Sequence, residues 1–136
     1  MTKEQLIKEI YTYISKSMGV NFKKKNRNTI NIIAFDIFTS VSNEVLNPFF
    51  KKRGECFEFI AKFTNRKRVG VFCSVQRIEL KLLQFPEYKK IYDDALIKFR
   101  MLSNATDIHK EIDLRTEFIR LENEKINQLK KKLECI

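Results

Sequence analysis

Apolar residues recur along most of this chain at intervals of three and four, the spacing that lines one face of an α-helix. Leu6, Ile7, Ile10, Tyr11, Ile14 and Met18 form the first such stripe. Thr2 and Gln5 stand ahead of it in capping-box spacing, and Gly19 is placed to close it with a left-handed residue. A second stripe over 29–46 joins Ile30, Ile33, Ala34, Ile37, Phe38, Val41, Val45 and Leu46, and Ile32 and Phe35 widen it. So broad an apolar surface predicts the most buried helix of the fold. Asn47-Pro48 ends it, because a residue before proline avoids the helical region. A third helix fits Glu55 to Thr64, with Cys56, Phe57, Ile60, Ala61 and Phe63 turned inward.

Two grammars compete over 69–83. Val69, Val71, Cys73 and Val75 alternate, as do Ile78, Leu80 and Leu82, which allows a short β-hairpin. The same region also allows a helix from Ser74 to Gln84, with Val75, Ile78, Leu82 and Leu83 on one face. Nothing between Arg77 and Ile78 resembles a turn, so the helix is favoured. Pro86 suits the first position of the next helix, which Tyr88, Ile91, Tyr92, Ala95, Leu96, Phe99 and Leu102 continue. Ser103 to Thr106 reads as a hinge or turn. Beyond it there is no Gly or Pro, and Ile112, Ile119, Ile126 and Leu133 recur every seven residues, joined by Leu129. Arg115 and Glu122 occupy intervening seam positions, so the heptad is imperfect. The expectation is a mostly α protein: a compact helical body over 1–102 and a long C-terminal helix or coiled coil over 103–136 that pairs two copies into a homodimer through those five residues.

Composition narrows the chemistry. The 136 residues include three Gly and two Pro, few for a turn-rich β sandwich. A single histidine excludes a multi-histidine metal centre, and a Ser-His-Asp triad would have to use His109. There is no phosphate-cradling glycine loop. Asp93-Asp94 and the set Glu55, Glu58 and Lys62 read as solvated helix surface rather than as metal or nuclease ligands. Three scattered cysteines point to a reducing, cytoplasmic setting. No signal peptide, membrane span, metal or cofactor is expected, and no enzymatic activity.

Charge supplies the functional lead. The formal net charge is +10, and between residues 20 and 70 eleven cations face four carboxylates. All but Lys62 fall in three clusters at predicted loops and helix ends: Lys23, Lys24, Lys25 and Arg27; Lys51, Lys52 and Arg53; Arg66, Lys67 and Arg68. Clusters this dense repel one another unless an anion sits between them, and a polyphosphate backbone supplies one. Gln76 and Arg77 are suited to base edges. Most aromatic residues fall on core stripes, which leaves Phe22 and Phe72 for stacking on bases. A helix-turn-helix built from 55–64 and a helix starting near Ser74 would need a connection longer than the motif uses.

Ser74-Val75, then Phe85-Pro86-Glu87-Tyr88-Lys89-Lys90-Ile91, then the Leu114–Leu133 coil form a recognisable layout. Over residues 69–133 the chain resembles the small accessory proteins of transposons mobilised by tyrosine recombinases. There a Val-Ser helix-turn-helix precedes a Pro-Glu-basic segment and a coiled coil. At the start of the recognition helix, where serines are expected, this chain carries Gln76 and Arg77. The resemblance implies double-stranded DNA as the partner and an accessory or regulatory role. The alternative is a phage-type or mobile-element inhibitor or assembly factor, whose basic loops would engage an acidic protein.

Overall fold

The computed structural model describes residues 1–23, 28–105 and 108–135, with the side chains of Arg53, Ile108 and His109 outside the description. Six α-helices are found among the described residues: α1 (Lys3–Met18), α2 (Thr29–Leu46), α3 (Arg53–Thr64), α4 (Arg68–Gln84), α5 (Lys89–Ser103) and α6 (Ile108–Glu134). Single 3₁₀ turns at Asn47–Phe49 and Pro86–Tyr88 join α2 to α3 and α4 to α5. The chain divides into two compact units, Met1–Ser103 and Asn104–Ile136.

The caps follow local chemistry. The Gln5 amide N–H donates to Thr2 Oγ1 and the Thr2 N–H to Gln5 Oε1, so two orphan donors are satisfied at once. Gly19 closes α1 at φ 66°, the left-handed conformation its sequence position suggests. Asn28 caps α2 by accepting from the Ile30 N–H. Pro86 opens only a 3₁₀ turn, and α5 proper starts at Lys89.

The first unit is built around α2, which packs against α1, α3, α4 and α5. Leu6, Ile7, Ile10 and Ile14 from α1 meet Ile33, Ile37, Phe38 and Val41 from α2, while Ile60, Val71 and Phe99 close the core from α3, α4 and α5. Burial of a side chain of this size contributes roughly 1.5–3 kcal/mol. Phe22 is one of these core residues: it packs on Tyr11 and Phe38 at ring-centroid distances of 4.9 and 5.2 Å. Its expected place as a base-stacking surface is therefore corrected, because the ring is fully enclosed. Phe63, expected inward, is only half-buried.

The hairpin over 69–83 does not form, and the described residues contain no strand. Helix α4 begins at Arg68, six residues before the expected Ser74, and buries Val71, Ser74 and Ile78. That spacing of three and four is helical, and the period-two reading fails because Val69 and Cys73 end up exposed. Gly70 lies inside α4 without breaking it. Helix α3 also starts earlier than expected, at Arg53.

One feature of α2 departs from its apolar reading. Asp36, Thr39, Ser40 and Asn43 share a face and all are buried. Asp36 has no solvent exposure, so its carboxylate must be satisfied internally. It accepts from Ser74 Oγ at 2.6 Å, and from Arg77 Nη2 and Nε at 2.8 and 3.2 Å. Ser74 also shares a 2.6 Å hydrogen bond with Thr39. The result is a polar bolt between α2 and α4.

Candidate nucleic-acid interface

The site begins with how α3 stops. Asn65 adopts φ 53° and ψ 45°, the left-handed conformation that ends helices, and its N–H returns to the carbonyls of Ala61 and Lys62. The Arg66 N–H then donates to Ala61 O at 2.9 Å. Only Asn65, Arg66 and Lys67 separate the two helices, because α4 opens at Arg68. The long connection expected from the sequence is thus corrected to three residues, the length that helix-turn-helix units use.

The start of α4 supplies no negative charge of its own. Lys67 is the N-cap of α4 and offers no capping side chain, and no acidic residue lies in the first turn. The positive end of the helix dipole is therefore surrounded by Arg66, Lys67 and Arg68, an arrangement unfavourable alone and favourable around an anion. The start of α3 repeats part of this pattern, with Lys52 as N-cap and no side-chain cap, although Glu55 lies in its first turn.

The three cation clusters are gathered around α3 to different degrees. Lys23 Nζ lies 3.8 Å from the centroid of the Phe63 ring and 4.9 Å from that of Tyr11. Arg66 sits over Phe35 at 5.0 Å, and its Nη2 donates to the Phe22 carbonyl at 3.5 Å. Lys23 of the first cluster and Arg66 of the third therefore both rest on rings near the C-terminal end of α3. Arg68 reaches toward the other end, where Nη1 is 3.9 Å from Glu58 and the guanidinium rests beside Gly54. Lys51 and Lys52 are exposed just ahead of that end. Lys24, Lys25 and Arg27 lie outside the described residues, as does the Arg53 side chain.

The two expected base-reading residues part company. Gln76 is exposed on the outer face of α4, in line with Val69, Phe72, Leu80 and Leu83, which are exposed as well. Arg77 is held by Asp36 in a two-point pair, and that hydrogen bond raises its pKa from the ordinary arginine value. Its planar fork thus serves a buried carboxylate through Nε and Nη2, while the side chain stays half-exposed. An open pocket of about 490 Å³ lies between the first turns of α3 and α4, lined by Gly54, Phe57, Arg68, Val69 and Phe72.

Sequence reasoning missed the Asp36–Ser74–Arg77 bolt and the early start of α4. A lone Asp inside an apolar helical stripe was the available signal, because such a residue is buried only with a partner. Other polar groups offer less. Asp93 pairs with Lys89 on α5 at 3.1 Å, and Glu55, Glu58 and Lys62 all lie on one helix. Among the described residues no three His, Cys, Asp or Glu side chains are grouped to hold a metal ion, and no helix is long and apolar enough to cross a membrane. The Cys56 thiol is enclosed, and burial pushes its pKa up to about 12.

Comparisons with family models, with curated proteins and with solved structures found no match to this chain.

Proposed function

We propose that this protein binds double-stranded DNA without catalysis, as a self-associating accessory or regulatory factor of the mobile-element kind its second half resembles. The observation that carries the reading is the three-residue turn between α3 and α4. It sets Arg66, Lys67 and Arg68 around an uncapped helix N-terminus, and Lys23 lies over Phe63 at the end of α3 that leads into this turn. In this reading the turn grips phosphates and the exposed first turns of α4 enter the groove. Val69 and Phe72 are suited to thymine methyl groups there, and Gln76 to an adenine edge.

The test is gel retardation of random duplex DNA at about 50 and about 200 mM salt, where each neutralised phosphate steepens the loss of affinity. The wild-type chain is expected to shift DNA at the lower salt and to release it at the higher. Lys67→Ala/Arg68→Ala should bind every sequence more weakly and flatten the slope by roughly two units. Absence of any shift at low salt overturns the reading.

A second reading has its own support. Leu80 and Leu83 are 70% and 78% exposed on the outer face of α4, several turns from the basic turn. That surface fits an interaction factor whose partner is an acidic protein with an apolar strip. The same failed retardation assay, together with capture of an acidic helical peptide, favours it.

A further inference from the structure

Helix α6 (Ile108–Glu134) carries an apolar seam that nothing in its own unit covers: Ile112, Ile119, Ile126, Leu129 and Leu133 are all exposed. We propose that this seam is covered by α6 of a second copy running in the opposite direction. The inference deepens the self-association in the reading above and rests on it. What selects the direction is the charge in the seam.

Arg115 and Glu122 occupy the same heptad position as Leu129. In a parallel, in-register pair each would face its own copy, so two guanidiniums and two carboxylates would be forced together inside an apolar stripe. The run Lys130, Lys131 and Lys132 would also lie beside itself. Reversing one helix draws the two Arg115 side chains and the two lysine runs apart, and sets the two Glu122 side chains in adjacent layers instead of directly face to face. A two-fold axis between Arg120 and Leu121 sets Ile112 against the second copy's Leu129, and Ile119 against the second copy's Glu122. Arg115 then lies one layer away from that glutamate, about 6 Å along the axis and within reach of a long side chain. The same register brings Lys130 level with the second copy's Glu111.

Arg115 already holds Glu111 of its own helix, Nη2 to Oε1 at 3.0 Å. This does not exhaust it, because a guanidinium has five N–H donors and can bridge two carboxylates. The pairing is isologous, so one surface serves both copies and the assembly closes at two. An antiparallel joint puts the N-termini of the two α6 helices at opposite ends of the pair.

The native Cys135 at the end of α6 is exposed and serves as a reporter, whereas the buried Cys56 resists labelling. A spin label on Cys135 in full-length Cys73→Ser protein is measured by pulsed dipolar spectroscopy, alongside light scattering. The antiparallel pair predicts a dimer mass and a label separation of about 40–45 Å, from a rise of about 1.5 Å per residue. A dimer with labels closer than about 20 Å overturns the direction and leaves self-association standing. A monomer mass with no dipolar signal overturns the self-association itself, whatever the retardation assay shows. As an independent check, Arg115→Glu should weaken dimerisation and Arg115→Glu/Glu122→Arg should restore it. In a parallel pair the exchange leaves like charges facing one another and restores nothing.

Discussion

Arg77 and Arg68 belong to the same helix and have opposite fates. Arg77 closes a two-point pair on a fully buried carboxylate, with Ser74 and Thr39 completing the contact between α2 and α4. Arg68, at the helix start, has an exposed carboxylate at 3.9 Å and a glycine beside it. A charge count treats the two alike. What separates them is the neighbouring helix: α2 presents an aspartate with no water to turn to, so the fold uses Arg77 for itself. The turn before α4 meets no such demand from a buried carboxylate, and Lys67 and Arg68 remain open to an external anion.

The strongest way to break this contrast is to remove Asp36. Asp36→Ala leaves Arg77 and the Ser74 hydroxyl without their common acceptor at the packed centre of the body. Breaking a buried ion pair from one side costs about 3–5 kcal/mol, and the half-exposed Arg77 side chain places the expectation at about 3 kcal/mol. Chemical denaturation of the variant measures it, with Asp36→Asn expected to lose less because the amide oxygen can still accept from Ser74. A loss under about 1 kcal/mol for the alanine would mean that the bolt does not hold α2 to α4.

A smaller effect separates the cations of the turn from one another. Arg66 stacks on Phe35 and donates to the Phe22 carbonyl, so Arg66→Ala should lower stability by about 1 kcal/mol and weaken DNA binding as well. Lys67 has an exposed side chain, and Lys67→Ala should leave stability within about 0.5 kcal/mol while reducing the salt slope of binding by about one. Equal stability losses in the two variants would erase the distinction between a cation that the fold uses and one that it offers.

The same contrast explains what the sequence discloses. The bounds of α2 are legible at both ends, since its stripe is continuous and Pro48 follows, although Asn47 keeps helical angles (φ −50°, ψ −42°) and the chain runs on as a single 3₁₀ turn instead of leaving the helical region at once. The start of α4 is not. Asn65 looks like any asparagine until its left-handed φ is seen, and Gly70 followed by alternating valines imitates a loop leading to a strand. The bolt is hidden for a different reason: Asp36 and its partners lie in separate helices, so no local period relates them. The cation clusters are visible as runs, but their engagement is not. Lys23 and Arg66 rest on rings that only the packing of α1, α2 and α3 brings within reach. Residue type announces a charge, whereas tertiary neighbours decide whether it is already used.

The finest test of the contrast lies at Gly54. A Cβ built there would intrude on Arg68 Nη2 and come within 3.2 Å of its Cζ. Both atoms belong to the far end of a flexible, half-exposed side chain, so the guanidinium can swing aside at little cost. The contact with Glu58 that it would give up is a long surface pair of the kind that contributes at most about 1 kcal/mol. Against that loss, alanine is favoured over glycine within a helix by roughly 0.5–1 kcal/mol, and less in the first turn, where Gly54 stands. Gly54→Ala is therefore expected to change stability by no more than about 0.5 kcal/mol in either direction, as read by thermal and chemical denaturation. A loss above about 1.5 kcal/mol would show Arg68 to be anchored by the fold in the way Arg77 is, and would remove it from the cations open to a phosphate. Tolerance, with DNA retardation unchanged, would place Arg68 beside Lys67 as a mobile charge at the mouth of the turn.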